Sequence, residues 1–174
     1  FSEQARAAQF LNHPYGIPVI GWRHEIEALD RADAEAFYRT YYAPNNAILV
    51  LAGDVTPEKA RELAQKYYGG IPAKDGVVRG PRPQEPQQRA PRRMEMKDPR
   101  VPQPTMIRTV LVPERNPGDQ KMAAALTVLA ELLGGSAQTS VLGQKLVMTG
   151  KALFAGAGYD GFAVDPTNFY ISIS

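Results

Sequence analysis

The segment from residue 73 to residue 103 constrains this chain most, because it interrupts the helix and strand patterns on either side of it. Between residues 73 and 100 it holds eight Lys or Arg side chains and four acids, and proline recurs at positions 81, 83, 86, 91 and 99. Proline removes a backbone donor and like charges repel, so such a segment favours extended, solvated backbone. We interpret residues 73–103 as a linker between a first part, residues 1–72, and a second part, residues 104–174.

The first part is predicted to be mainly helical. "SEQARAAQFL" has strong helical propensity and is followed by Pro14, which blocks continuation of a helix. "DRADAEAFYRTYYAP" predicts a second helix with Asp30 as its N-cap, and "TPEKARELAQKYYGG" predicts a third with Thr56 as its N-cap. Between these two helices, the apolar run in "NNAILVLAGD" predicts a buried strand.

The second part is predicted to mix strands and helices. Strands are predicted at "PTMIRTVLVP", "ALFAGAGYDGF" and "NFYISIS", and "RRMEMKD" is either the end of the linker or a further strand. Helices are predicted over "SVLGQKLVMTG" and over "DQKMAAALTVLAELLGG", in which Met122, Leu126, Leu129 and Leu133 share one side. Helices mixed with strands that are predicted to be antiparallel define an α+β fold class.

The composition excludes several classes of function. The formal net charge of the 174 residues is only +2, so a nucleic-acid partner is not expected. There is no cysteine, which excludes disulfides, thiolate nucleophiles and iron–sulfur clusters. No apolar run reaches the roughly 18 residues of a membrane span. The chain begins with Phe1 and ends inside the alternating pattern of "NFYISIS", so we expect it to be a fragment of a longer protein.

The candidate catalytic motifs are all incomplete. His13 and His24, the only histidines, are eleven positions apart across two prolines and cannot share a helical face as paired zinc ligands. "HEIEA" at His24 begins like a zinc-peptidase helix motif, but Ala28 stands where the second histidine belongs. "GAGYDG", residues 156–161, matches the dinucleotide-binding pattern, yet a strand is predicted where that motif needs a helix. No Gly-x-Ser-x-Gly motif occurs.

Three stretches, taken in order, resemble one known family. "HPYGIPVIGW", "DAEAFYRTYYAPNNAILVLAGDV" and "TPEKARELAQKYYGGIP" are similar to the zinc metallopeptidases of the pitrilysin/insulinase family, which includes mitochondrial processing peptidase. The resemblance implies two-layer α+β domains, with residues 1–72 as the end of one domain and residues 104–174 as the start of a second, similar domain. The positions that match the family's structural motifs are His13, Pro14, Tyr15, Gly16, Pro44, Asn46, Gly53 and Asp54.

The resemblance also implies that the whole protein is a zinc-dependent endopeptidase that encloses its peptide substrate in a chamber. In the family, an inverted His-x-x-Glu-His motif and a further glutamate hold the zinc and precede the His-Pro-Tyr-Gly turn, and no such motif occurs in this sequence. We therefore expect no catalytic residue, no bound zinc and no activity in this chain alone. His13 is expected to be structural, packing the turn and donating a ring N–H to a backbone carbonyl.

Many family members carry in the second domain an Arg and, seven residues later, a Tyr, which bind the substrate. Matching "SVLGQKLVMTGKALFAGAG" to that region places Val147 and Phe154 at these positions, and neither side chain can donate a hydrogen bond. This departure resembles the two-subunit members, in which a homologous partner subunit supplies the Arg/Tyr pair. The alternative is a non-catalytic homologue that acts as a partner subunit or assembly scaffold. The sequence leaves the compartment open, and the frequent export of bacterial relatives favours the periplasm.

Overall fold

The chain forms two compact units, Phe1–Arg93 and Met94–Ser174, in a computed structural model. The structure describes residues 1–77 and 80–174. Val78 and Arg79, which belong to the predicted linker, lie outside the described residues. The two units combine helices with a small antiparallel sheet, so the fold class is α+β, as the sequence predicted.

The described residues of the first unit form four α-helices: α1 (Ser2–Gln9), α2 (Arg23–Ala28), α3 (Arg31–Tyr41) and α4 (Pro57–Tyr68). The predicted caps of the longer helices are confirmed. The Asp30 carboxylate accepts a hydrogen bond from the Asp33 N–H, and the Asp33 carboxylate accepts one from the Asp30 N–H, which closes a capping box. The Thr56 hydroxyl accepts a hydrogen bond from the Lys59 N–H at the start of α4.

The prediction of a buried strand in "NNAILVLAGD" is wrong. Residues Pro44–Asn46 form a short 3-10 turn, and residues 47–52 after it belong to no helix or strand of the described structure. Ile48 and Val50 are 91% and 79% exposed. An apolar run favours extended backbone locally, but a strand also needs a neighbouring strand to take its N–H and C=O groups, and the run does not encode that neighbour.

The second unit is built on a three-stranded antiparallel sheet in the order β1–β3–β2. Its strands are β1 (Met106–Val112), β2 (Ala155–Tyr159) and β3 (Thr167–Ile173). In this register, Phe169 of β3 lies opposite Val110 of β1 and opposite Tyr159, the last residue of β2. All three predicted strands are confirmed, whereas "RRMEMKD" is not a strand.

A long helix, α5 (Lys121–Gly134), packs against β2. The residues that α5 buries are small: Ala123, Ala130 and Gly134. Met122 and Leu129, on the side that the sequence marked as apolar, are instead about half exposed. A Cβ atom at Gly134 would collide with the backbone nitrogen of Ala157, so the helix and strand approach each other more closely than any larger residue allows.

The glycines of "GAGYDG" lie in β2 and in the turn after it, which confirms the interpretation as a strand. At Gly158 a Cβ atom would meet the ring of Tyr170 on the neighbouring strand β3. The glycines therefore make room for backbone and ring contacts. The predicted helix in "SVLGQKLVMTG" is present as a π-helical segment, Gly143–Val147.

Replacing Gly134 by alanine is expected to destabilise the second unit by about 1–3 kcal/mol, because the new methyl group must push α5 away from β2. Thermal unfolding followed by far-UV circular dichroism measures the effect. Gly70→Ala is the matched control, since no atom lies within 4 Å of the Cβ position there, and it should change stability by no more than about 0.5 kcal/mol. Equal melting curves for Gly134→Ala and Gly70→Ala would contradict the close packing.

Candidate functional site

The four residues His13–Gly16, which we call the histidine turn, form a compact turn that is separated from α1 by residues 10–12. Pro14–Gly16 is a single 3-10 turn, and His13 precedes it with extended backbone. Proline at the first position of the turn has its φ preset and lacks the N–H that would be unpaired there. The sequence therefore determines this local conformation.

The ring of His13 closes the turn. Its Nδ1 accepts a hydrogen bond from the Tyr15 N–H at 3.1 Å, and the residue is only 5% exposed. Because Nδ1 accepts, the ring proton is on Nε2 in the neutral form. Nδ1 thus caps a backbone amide, and the donation of a ring N–H to a backbone carbonyl stays a prediction for Nε2.

Aromatic rings surround this histidine. The His13 ring centroid lies 4.4 Å from that of Tyr15 and 5.9 Å from that of Phe10, which is itself buried. Gly16 is buried beneath them, and a Cβ atom there would lie 3.2 Å from the Cβ of Phe10. These contacts account for the identity of His13, Tyr15 and Gly16 through packing.

The carboxylate of Glu85 binds the backbone next to the histidine turn. It accepts hydrogen bonds from three consecutive N–H groups: Leu11 at 2.8 Å, Asn12 at 3.0 Å and His13 at 3.1 Å. Glu85 lies in the segment that we interpreted as a linker, and its contacts were not predicted. The one available signal was that Glu85 is the only acid between Asp75 and Glu95 in a basic, proline-rich stretch.

These contacts shift the acidity of Glu85. Partial burial by itself raises the pKa of this carboxyl, but the three backbone N–H donors and the Arg92 guanidinium outweigh burial and hold the pKa below its ordinary value of 4.5. The ionised carboxylate is therefore the form that the folded chain favours.

The remaining motif residues lie elsewhere in the first unit. Pro44 and Asn46 form the 3-10 turn after α3, where the Asn46 side chain donates to the Tyr41 carbonyl at 2.9 Å. Gly53 and Asp54 lie in a bend, and Gly53 has a φ of 149°, which glycine adopts readily. Asp54 is exposed.

A neighbouring asparagine that the sequence did not single out also bonds across the unit. The Asn45 side chain donates to the Lys74 carbonyl at 2.9 Å and accepts from the Lys74 N–H at 3.1 Å. The Lys74 ammonium group donates in turn to the carbonyls of Arg39 and Tyr42, at the end of α3. A cation at the C-terminal end of a helix is favourable because carbonyl groups are unpaired there.

The described part of the chain does not fit a zinc ion. It contains no group of three or more His, Asp or Glu side chains placed to hold a metal. His13 uses Nδ1 for the Tyr15 amide, and His24 is exposed on α2, where Ala28 occupies the position one turn later.

Val147 and Phe154 occupy the positions that matched the family's Arg and Tyr. Val147 is the last residue of the π-helical segment and is half-buried, whereas Phe154 is 54% exposed just before β2. The backbone of Phe154 pairs with Ser174 at both its N–H and its carbonyl. The arrangement offers a substrate no side-chain hydrogen-bond donor at either position.

An α+β chain with these peptidase motifs and without a metal cluster in its described residues corresponds to a known kind of domain. The profile of the "Peptidase M16 inactive domain" matches residues 28–174. The chain belongs to the peptidase M16 family, which confirms the resemblance seen in its motifs. Among the described residues, no helix is both long enough and apolar enough to cross a membrane.

Individual relatives agree with this assignment. The chain is 34% identical over 62 residues to the zinc protease PqqE of Helicobacter pylori, an overlap that covers 36% of the chain and 14% of that protein. It is 35% identical over 74 residues to human mitochondrial cytochrome b-c1 complex subunit 1, covering 41% and 15%. The crystal structure of a protease from Helicobacter pylori matches with a TM-score of 0.74 and 25% identity, covering 98% of this chain and 46% of that one. The chain thus spans less than half of these relatives.

Replacing His13 by alanine is expected to destabilise the first unit by about 1–3 kcal/mol, because the turn loses its capping acceptor and the ring leaves a gap beside Phe10 and Tyr15. Urea unfolding followed by fluorescence of the single tryptophan, Trp22, measures the loss in this unit. His24→Ala removes an exposed histidine and should change stability by less than about 0.5 kcal/mol. Similar losses in both variants would argue against the structural role of His13.

The contribution of Glu85 to stability is expected to depend on pH. Because its pKa is lowered on folding, the ionised carboxylate stabilises the chain above its unfolded pKa, and that stabilisation is lost as the pH falls through its folded value. Unfolding followed by Trp22 fluorescence between pH 6 and pH 3 should show wild type more stable than Glu85→Gln at pH 6. The difference should shrink as the pH falls through the carboxyl range near about 4. A difference that does not change with pH would contradict this assignment.

Proposed function

We propose that this chain is the non-catalytic part of a zinc-dependent metalloendopeptidase. The observation that carries the proposal is the match of residues 28–174 to the M16 inactive domain. In agreement with it, the described residues contain no cluster of side chains that could hold a metal. The similarity to a protein named zinc protease PqqE supports zinc in the whole protein.

The substrate that fits this proposal is a peptide enclosed by the whole protein. In this chain the side chains at the Val147 and Phe154 positions are apolar, so they contribute surface to the enclosure and no hydrogen bond to a reacting carbonyl. A homologous partner subunit with an Arg/Tyr pair would supply that bond, and the active form would then be a heterodimer. Export to the periplasm is part of the same proposal, and cell fractionation with an antibody against the protein tests it.

A second function is favoured by one observation. The similarity to a protein named cytochrome b-c1 complex subunit 1 agrees with a non-catalytic subunit that supports the assembly of a larger complex. The loss of both hydrogen-bonding positions, at Val147 and Phe154, agrees with this role as well. The two functions differ in one respect that can be measured, which is whether the whole protein binds zinc.

The experiment combines the intact mass of the protein isolated from its source with a zinc determination on the same material. The peptidase proposal predicts a mass well above the 19.1 kDa of this chain, one zinc per molecule, and cleavage of a fluorogenic peptide that a chelator abolishes. The 174-residue chain, prepared alone, should contain no stoichiometric zinc and should cleave nothing.

Two results would decide against the proposal. A larger protein that binds no zinc, even after incubation with a zinc salt, would favour the non-catalytic subunit. Chelator-sensitive cleavage by the 174-residue chain alone would show that the catalytic residues lie within it. That result would conflict with the absence of a metal-holding cluster among its described residues.

A further inference from the structure

Residues 84–92, which we call the strap, are tied to the end of α1 from both sides. On one side the Glu85 carboxylate accepts the N–H groups of Leu11, Asn12 and His13. The Asn12 side chain also donates to the Gln84 carbonyl at 3.2 Å. The strap therefore supplies acceptors to the backbone that follows α1.

The other side of the strap supplies donors. The Arg92 guanidinium donates to the carbonyls of Ala8 and Gln9, and the Gln88 side chain also donates to Gln9. The carbonyls in the last turn of a helix have no partner within the helix, so these donors complete the end of α1. The donors of the strap thus pair with carbonyls at the C-terminal end of α1, and its acceptors pair with N–H groups of the backbone that follows the helix.

The attachment of the strap is polar and lies at the surface. Gln84, Gln88 and Arg92 are exposed, Glu85 is only partly covered, and no side chain of the strap is buried. Segments held by surface hydrogen bonds and few apolar contacts open at low free-energy cost compared with a packed core. The strap can therefore detach while the helices keep their own backbone bonds.

We propose that the strap is a releasable latch on the end of α1. When it is docked, Glu85 and Arg92 hold backbone groups at and after the end of α1. When Glu85 releases these groups, residues 84–92 leave that surface while α1 keeps its own backbone bonds. The latch does not depend on peptidase activity and holds for either function considered above.

Limited trypsin digestion of the whole 174-residue chain tests docking. The Arg89–Ala90 bond lies inside the strap, and the Arg100–Val101 bond lies beyond it and serves as an internal reference. In Glu85→Ala the rate of cleavage at Arg89–Ala90, relative to Arg100–Val101, should rise on the order of tenfold, since several hydrogen bonds are lost together. Glu85→Gln, which keeps one acceptor, should give a smaller rise. Glu25→Ala, which removes an exposed glutamate on α2, should give none.

Amide hydrogen exchange measured by NMR tests release. In wild type the N–H groups of Leu11, Asn12 and His13 should exchange slowly, at a rate that low urea concentrations leave unchanged, because local opening exposes little surface. In Glu85→Ala the same three amides should lose their protection. Circular dichroism confirms that the helices remain, and if Glu85→Ala unfolds, Gln88→Ala and Glu85→Gln give the same comparison.

Two outcomes would overturn the latch. Equal relative cleavage at Arg89–Ala90 in wild type and in the Glu85 variants would show that the strap is not held by this carboxylate. The three amides would exchange only through unfolding of the whole unit if their exchange rate depended steeply on the urea concentration. That result would show that the strap is a fixed part of the fold and is not releasable.

Discussion

In the first unit, the Glu85 carboxylate orders the chain around the end of α1 by accepting hydrogen bonds from three consecutive backbone N–H groups. Among the described residues, this unit buries few apolar side chains, and one of them, Phe10, lies with the buried ring of His13 beside that contact. The helix end and the histidine turn would otherwise present several unpaired polar groups close together. A charged acceptor can satisfy three donors at once, so one glutamate orders the end of α1, the turn and its own segment.

The second unit is held together differently. Its sheet has β3 in the centre, and α5 lies against β2 through small residues, with Gly134 in contact with backbone. Close approach of a helix and a strand brings many backbone atoms into van der Waals contact, which offsets the small size of the side chains involved. The leucines of α5 are left partly exposed as a result.

These two arrangements explain how the chain can carry the sequence motifs of a peptidase family although its described residues form no metal site. His13, one of the two histidines considered as zinc ligands, uses its ring to complete a turn, and the glycines that resemble a nucleotide-binding loop make room in a sheet. Membership of the M16 family through its inactive domain agrees with both findings. The residues that match the family's motifs thus shape a domain, and the described chain supplies no metal site.

The sequence by itself determined the local elements: the caps at Asp30 and Thr56, the three strands of the second unit, the turn at Pro14 and the family. These depend on neighbouring residues, whose side chains and φ preferences act within a few positions. The tertiary structure alone decided that residues 48–51 stay exposed, that α5 packs through alanine and glycine, and that Glu85 binds residues 11–13. Each of these depends on a partner far away in sequence, and the composition of a segment does not specify which distant groups will be available to it.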